Sequence, residues 1–69
     1  MKEIMFEVMQ EADGGFTAEC LTEAIFAQAD GWPELREQVK DAVEGYFFDL
    51  PKPEIIHLHL VRDEVLAYA

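Results

Sequence analysis

This chain has few of the residues on which enzyme chemistry commonly depends. It contains no serine and a single cysteine among 69 residues. Cys20 lies in a strand-like run, where its neighbours predict a small buried side chain and not a reactive thiol. The sequence has no Gly-rich phosphate loop, no dinucleotide-binding fingerprint, and no CxxC or HExxH metal motif. We therefore predict a protein that is not an enzyme and that uses no cofactor.

Basic residues and long apolar runs are also scarce. Fifteen acidic residues against five basic ones give a formal net charge of -10, which repels nucleic-acid phosphates and anionic lipid surfaces. No run reaches the length of a transmembrane helix, and Glu3 and Glu7 interrupt the start where a signal peptide would be apolar. We expect no direct nucleic-acid binding, no membrane binding and a cytoplasmic location, which a lone cysteine also fits. The acidity suits either solubility alone or a basic partner.

The chain is nevertheless rich enough in apolar residues to fold. Hydrophobic residues make up 51% of it and eight residues are aromatic, which is too many for a disordered chain. We predict one small domain over residues 1–69. A chain of this length buries only roughly 60% of its unfolded surface on folding, and association between copies is a common source of the missing stability. We therefore expect a homo-oligomer, either a dimer or a larger assembly.

The first third of the chain predicts a β-hairpin. Two runs of alternating residues flank Asp13, Gly14 and Gly15, and an Asp-Gly pair supplies the positive φ angles of a tight turn. Successive side chains of a strand point to opposite faces, so both strands can place their apolar residues on one side. That predicted core face consists of Ile4, Phe6, Val8, Phe16, Ala18 and Cys20.

The remaining elements follow from periodicity and from proline. Residues 24–28 predict a third strand, and Pro33 begins a helix whose apolar stripe runs from Leu35 to Phe47. Residues 55–61 predict another strand with Ile56, Leu58 and Leu60 on its core face. Residues 62–69 add either a short strand, which we favour, or one helical turn. The predicted order is β-β-β-α-β in an α+β fold with one helix on one face of the sheet. We expect these aromatic side chains in the core: Phe6, Phe16, Phe26, Tyr46 and Phe47.

The sheet face away from the helix is the candidate contact surface. It combines apolar residues with acidic residues and two histidines, and such a mixed surface on a small domain suits binding to another protein. The candidate residues are Met5, Glu7, Met9, Glu19, Leu21, Ile55, His57, His59 and Val61.

A metal site is the alternative use of this face. His57 and His59 are two apart on a strand and so point the same way, as a transition-metal site requires. Glu3 or Glu7 would complete the site if the last strand pairs beside the first. A weaker candidate, for Mg²⁺, is the group of hairpin carboxylates Glu7, Glu11, Asp13 and Glu19. Two histidines are not a site by themselves, and we predict no native metal.

Taken together, these runs resemble the HicB-like antitoxin domain. The match covers nearly the whole chain, and its parts are residues 6–8, 11–18, 20–21, 28–31, 33–35 and 56–65, with Ala42, Val43 and Tyr46 in the helix. The resemblance implies a partial RNase H-like βββαβ fold, usually dimeric, that acts as the antitoxin of HicA-like toxins. Those toxins are small basic ribonucleases, and the antitoxin domain blocks them by direct contact. Full antitoxins usually append a DNA-binding domain, and this chain resembles a short stand-alone member without one.

Two other functions stay open at this point. One is a small metal-binding module or hydrolase that uses His57 and His59 with nearby carboxylates. The other is an orphan structural or ligand-sensing subunit of a larger assembly, for which no residue indicates a particular ligand.

Overall fold

The computed structural model describes residues 2–62 and 65–68 of the chain. Its elements are β1 (Glu3–Gln10), β2 (Phe16–Cys20), β3 (Phe26–Ala29), α1 (Trp32–Tyr46) and β4 (Ile55–Val61). This confirms the α+β class and the β-β-β-α-β order. The strand favoured for residues 62–69 lies partly outside the described residues, and Arg62 and residues 65–68 carry no strand. No helix in the described part of the chain is long and apolar enough to cross a membrane.

The four strands form one sheet in the order β3-β2-β1-β4. β1 pairs antiparallel with β2, and β2 pairs antiparallel with β3. β4 pairs parallel with β1, from Glu3 opposite Ile55 to Met9 opposite Val61. A parallel neighbour cannot follow from a tight turn, so α1 carries the chain across the sheet. β3 and β4 are therefore the edge strands.

Of the two glycines in the hairpin turn, only Gly14 has a positive φ angle. Gly14 has a φ of 94°, as the sequence predicted for a turn position. Gly15 has no positive φ, but a Cβ there would lie 3.4 Å from the carbonyl oxygen of Ala29. The Gly15 N–H donates to Asp13 Oδ1 at 3.0 Å, and the Glu11 N–H donates to the Gly15 carbonyl oxygen at 2.7 Å. The turn thus needs glycine at position 14 for its conformation.

The core lies between α1 and one face of the sheet. The predicted alternation holds on β1 and β2, where every second side chain is buried or half-buried. From the helix, the buried residues follow the predicted stripe at intervals of four, and Trp32 packs edge-on against Phe16 with ring centroids 5.5 Å apart. The buried residues are Ile4, Phe6, Val8, Ala18, Cys20, Ile25, Ala27, Leu35, Val39, Val43 and Phe47.

Two aromatic residues predicted in the core are on the surface. Phe26 is 58% exposed because Ile25 and Ala27 take the core positions, so β3 begins two residues later than predicted and in the opposite phase. Tyr46 is 40% exposed at the margin of the helical stripe, where Phe47 fills the core instead. The Tyr46 hydroxyl donates to Glu23 Oε2 at 2.9 Å, which keeps its polar end at the surface.

The helix leaves the β4 side of the core face partly uncovered. α1 lies closest to β3 and β2, and a helix with its side chains is only about 10 Å wide. Four strands spaced about 4.8 Å apart span about 14 Å between the outer axes. The predicted core face of β4 is therefore incomplete: Ile56 and Leu58 are half-buried, and Leu60 is 43% exposed.

Candidate functional site

The sheet face opposite α1, here called the open face, brings all nine predicted contact residues together. Eight lie on the side of their strand that points away from the core, Leu21 directly follows β2, and none of the nine is buried. β-sheet pairing also adds neighbours that the sequence did not single out as contact residues. The open face consists of Glu3, Met5, Glu7, Met9, Thr17, Glu19, Leu21, Phe26, Gln28, Ile55, His57, His59 and Val61.

Strand register arranges these residues in rows across the sheet. The central row contains Phe26 on β3, Glu19 on β2, Glu7 on β1 and His59 on β4, each opposite the next. A parallel row contains Gln28, Thr17, Met9 and Val61. On the other side of the central row, Met5 lies opposite His57, and the Leu21 N–H donates to the Met5 carbonyl oxygen at 3.0 Å.

The centre of the open face carries unneutralised negative charge. Glu7 and Glu19 are directly opposite each other on antiparallel strands, where side chains lie about 5 Å apart and like charges are destabilising. No residue of the open face is lysine or arginine. The two carboxylates therefore repel each other across the middle of the sheet, and a cation placed between them would relieve that repulsion.

Apolar side chains surround this acidic centre. Met5 and Met9 on β1, Leu21 just after β2 and Phe26 on β3 are all exposed. Methionine is flexible and polarizable, which lets it adapt to the shape of a partner. An exposed surface that combines acidic side chains with apolar ones suits contact with another protein.

The histidines are only partly assembled with carboxylates. β4 does pair beside β1, and His57 Nε2 lies 2.9 Å from Glu3 Oε1 with both side chains about half exposed. His59 lies opposite Glu7. Among residues 2–62 and 65–68, however, no three His, Cys, Asp or Glu side chains are grouped closely enough to hold a metal ion. The geometry supplies one histidine–carboxylate pair.

The hairpin carboxylates do not form the cluster that a Mg²⁺ site would need. Glu7 and Glu19 lie at the centre of the open face, whereas Glu11 and Asp13 line an open depression of about 410 Å³ beside the turn. Both of the latter are used locally: Glu11 Oε1 accepts from the Thr17 hydroxyl at 3.3 Å, and Asp13 accepts from the turn backbone. Their roles here are in turn geometry.

Phe26 is the contact residue that the sequence interpretation placed wrongly. The signal was present two residues further on, because Gln28 is polar and shares a strand face with Phe26. A strand that places Gln28 towards solvent must place Phe26 there too. The large hydrophobicity of phenylalanine outweighed that pattern in the sequence interpretation.

Comparison with known proteins gives two relatives. A UPF0150 protein of Thermotoga maritima is 39% identical over 66 residues, which is 96% of this chain and 93% of that protein. A UPF0150 protein of Archaeoglobus fulgidus is 44% identical over 48 residues, which is 70% of this chain and 73% of that protein. No family model matches the chain, and no solved structure matches it. The HicB-like resemblance and the RNase H-like relation thus stay predictions, while these two relatives show that the chain belongs to the UPF0150 family.

Proposed function

We propose that this chain is a non-catalytic protein-interaction domain whose open face binds a basic protein. The observation that carries the proposal is the pair of opposed carboxylates, Glu7 and Glu19, on a face without lysine or arginine. The HicB-like resemblance specifies the partner: a small basic HicA-like ribonuclease toxin, which the chain neutralises by direct contact in the cytoplasm.

Binding a basic partner would turn an unfavourable arrangement into a favourable one. A lysine or arginine seated between Glu7 and Glu19 makes charge-assisted hydrogen bonds to both carboxylates. The exposed apolar border, Met5, Met9, Leu21 and Phe26, excludes water around that contact as the surroundings of a binding hot spot do. The net charge of -10 also accelerates the encounter with a cationic partner at low ionic strength.

The test is co-expression with the small basic protein encoded in the neighbouring open reading frame, followed by measurement of the dissociation constant of the purified complex. Glu7→Lys and Glu19→Lys each place a cation at the centre of the open face. We expect at least about a tenfold loss of affinity from either variant, because like charges then meet at the interface.

The matched control is Asp41→Lys, which makes the same change of charge on the exposed side of α1, away from the open face. It should leave affinity within about twofold at moderate salt, where distant charges are screened. Equal losses from Asp41→Lys and Glu7→Lys would show that only net charge matters and would reject the open face as the binding site. A neighbouring gene that encodes no small basic protein, together with no co-purifying partner, would remove support for the antitoxin role.

The metal-binding alternative starts from the contact between Glu3 and His57. It requires that Zn²⁺ or Mn²⁺ bind and stabilise the folded chain. An unchanged Tm with either ion, compared with His57→Gln as the control variant, would remove this alternative.

A further inference from the structure

The helix side of the molecule has a groove that no side chain of residues 2–62 and 65–68 fills. The groove has a volume of about 160 Å³ and is lined by Arg36, Val39, Lys40, Ile56 and Leu58. It exists because α1 is too narrow to cover β4, as described above. Its floor is apolar, and its α1 side carries two of the chain's five basic residues. We call it the helix-side groove.

The same chain also exposes apolar side chains just beyond β4. Val65, Leu66 and Tyr68 are all highly exposed, and Leu66 is 78% exposed. These side chains do not fill the chain's own groove, which remains open. One polypeptide therefore presents an uncovered apolar groove and an uncovered apolar segment that are not in contact with each other. Leaving both in water costs roughly 25 cal/mol for each Å² of apolar surface.

Charge decides which surface two copies of this chain can share. Packing two open faces together would bring Glu3, Glu7 and Glu19 of one copy against the same carboxylates of the other, and no lysine or arginine on that face would compensate. The helix-side groove is the opposite case, because Arg36 has no ion-pair partner among the described residues. Lys40 makes only an exposed 3.4 Å contact with Glu37, which is weak.

We propose that the chain self-associates through this groove, with Val65, Leu66 and Tyr68 of one copy covering Ile56 and Leu58 of a second copy. Reciprocal exchange closes a twofold dimer, the commonest symmetric arrangement of identical subunits. The apolar residues of one copy then cover the groove that α1 leaves open in the other. A small domain gains from such association the buried surface that it lacks alone. The open face stays free, so the dimer can bind two basic partners at once.

The first test is sedimentation velocity of the full chain at micromolar concentration, with circular dichroism to verify the fold. The wild type should sediment as a dimer. Leu66→Asp places a charge in the proposed contact and should weaken dimerisation at least about tenfold, without loss of secondary structure because Leu66 is exposed in the single chain. The matched control is Met9→Asp, which makes a comparable change on an exposed residue of the open face and should leave the dimer intact.

A wild type that sediments only as a monomer would overturn the proposal. So would a Leu66→Asp variant that remains as dimeric as the wild type. Dissociation by Met9→Asp and not by Leu66→Asp would place self-association on the open face instead. This experiment needs no basic partner, so its outcome is independent of the function proposed above.

Cross-linking between differently marked copies identifies the contact directly. In a Cys20→Ala background, one population carries Lys40→Cys and a second carries Leu66→Cys. Mixing them under mild oxidation should give a disulfide-linked pair containing one copy of each. In the control, the first population carries Met9→Cys in place of Lys40→Cys. This mixture should give far less of the disulfide-linked pair.

A second arm separates exchange between copies from folding back within one copy. The Lys40→Cys/Leu66→Cys double variant should form linked dimers at micromolar concentration. A disulfide confined to monomers would show that each chain covers its own groove, which would overturn the proposal. Equal yields with Lys40→Cys and Met9→Cys would do the same.

Discussion

Two of the four glycines of this chain, Gly14 and Gly45, have different roles in the structure. Gly14 and Gly45 both have open space where a Cβ would be placed, with no atom within 4 Å. They differ in backbone conformation, because Gly14 has a φ of 94° and Gly45 lies in α1. A glycine inside a helix weakens it unless close approach to another element requires it. The space at Gly45 is open, so the approach of α1 to the sheet does not require glycine there.

Gly45→Ala should stabilise the protein by about 0.5–1 kcal/mol, because alanine restricts the unfolded chain and fits a helix without strain. Gly14→Ala is the matched comparison and should destabilise by about 1–2 kcal/mol, since its cost is conformational alone. Urea unfolding of both variants measures the two changes. Destabilisation by Gly45→Ala would mean that the helix meets a neighbour at this position in solution, such as a second copy.

Tyr46 gives a pH-dependent prediction at the same scale. Its hydrogen bond to Glu23 and the negative charge of that carboxylate raise the pKa of Tyr46 above its ordinary value of 10.0. The folded state therefore holds the phenol proton more tightly than the unfolded chain does. The resulting stabilisation is fully present below pH 10.0 and is lost as the pH rises through the raised pKa.

Tyr46→Phe removes this contribution at every pH. We expect the wild type to have the higher urea midpoint at neutral pH, and the difference between the two proteins to shrink above pH 10.0. Comparing the two proteins cancels the titration of the lysines, which both share. A difference that stays constant to high pH would show that the hydrogen bond to Glu23 does not form in solution.

At the scale of elements, β3 shows how a short strand can be read in the wrong phase. A four-residue strand offers only two side chains to each face, so one large residue dominates a judgement of hydrophobicity. The actual phase follows from its neighbours: Ile25 and Ala27 are buried under α1, and Phe26 lies opposite Glu19 on the open face.

Because Phe26 is exposed and Ile25 is buried, the larger Phe26 side chain should contribute less to the stability of the fold. Phe26→Ala should cost less than about 1 kcal/mol, the range of strand propensity at an exposed site. Ile25→Ala should cost about 2–5 kcal/mol because it leaves a cavity in the core. Thermal or urea unfolding of the two variants measures both. A larger loss from Phe26→Ala than from Ile25→Ala would show that the observed phase of β3 is wrong.

For the edge strand β4, the sequence predicted which side chains face the core but not how far α1 covers them. Alternation placed Ile56, Leu58 and Leu60 on the core face, and the structure agrees on the direction. Their incomplete burial depends on where α1 crosses the sheet, which no pattern within residues 55–61 encodes. The helix-side groove is the consequence of that crossing.

For the whole molecule, charge is the dominant property. The net charge of -10 is carried by a chain of 69 residues, and the described residues contain two Lys–Glu ion pairs and the His57–Glu3 contact, all of them exposed. Self-repulsion of the compact state is therefore expected to lower its stability. The opposed carboxylates at the centre of the open face are a local case of the same effect.

Added salt should consequently stabilise the protein. Raising NaCl from about 20 mM to about 500 mM shortens the screening length from roughly 20 Å to roughly 4 Å, so the Tm should rise. Glu7→Gln, which removes one of the opposed charges, should raise the Tm at low salt and reduce its salt dependence. A Tm that falls with NaCl would show that attractive ion pairs outweigh the repulsion.

The sequence alone determined the order of the elements, the two faces of β1 and β2, and the stripe of α1. It could do so because strand alternation and helical periodicity are local properties, and because Gly14 marks a tight turn and Pro33 the start of a helix through backbone geometry. Only the tertiary structure decided the rows of the open face, since the neighbours of Glu7 come from strands that are distant in sequence. It also decided the phase of β3 and the groove beside β4, because both depend on where a helix of fixed width settles on a wider sheet.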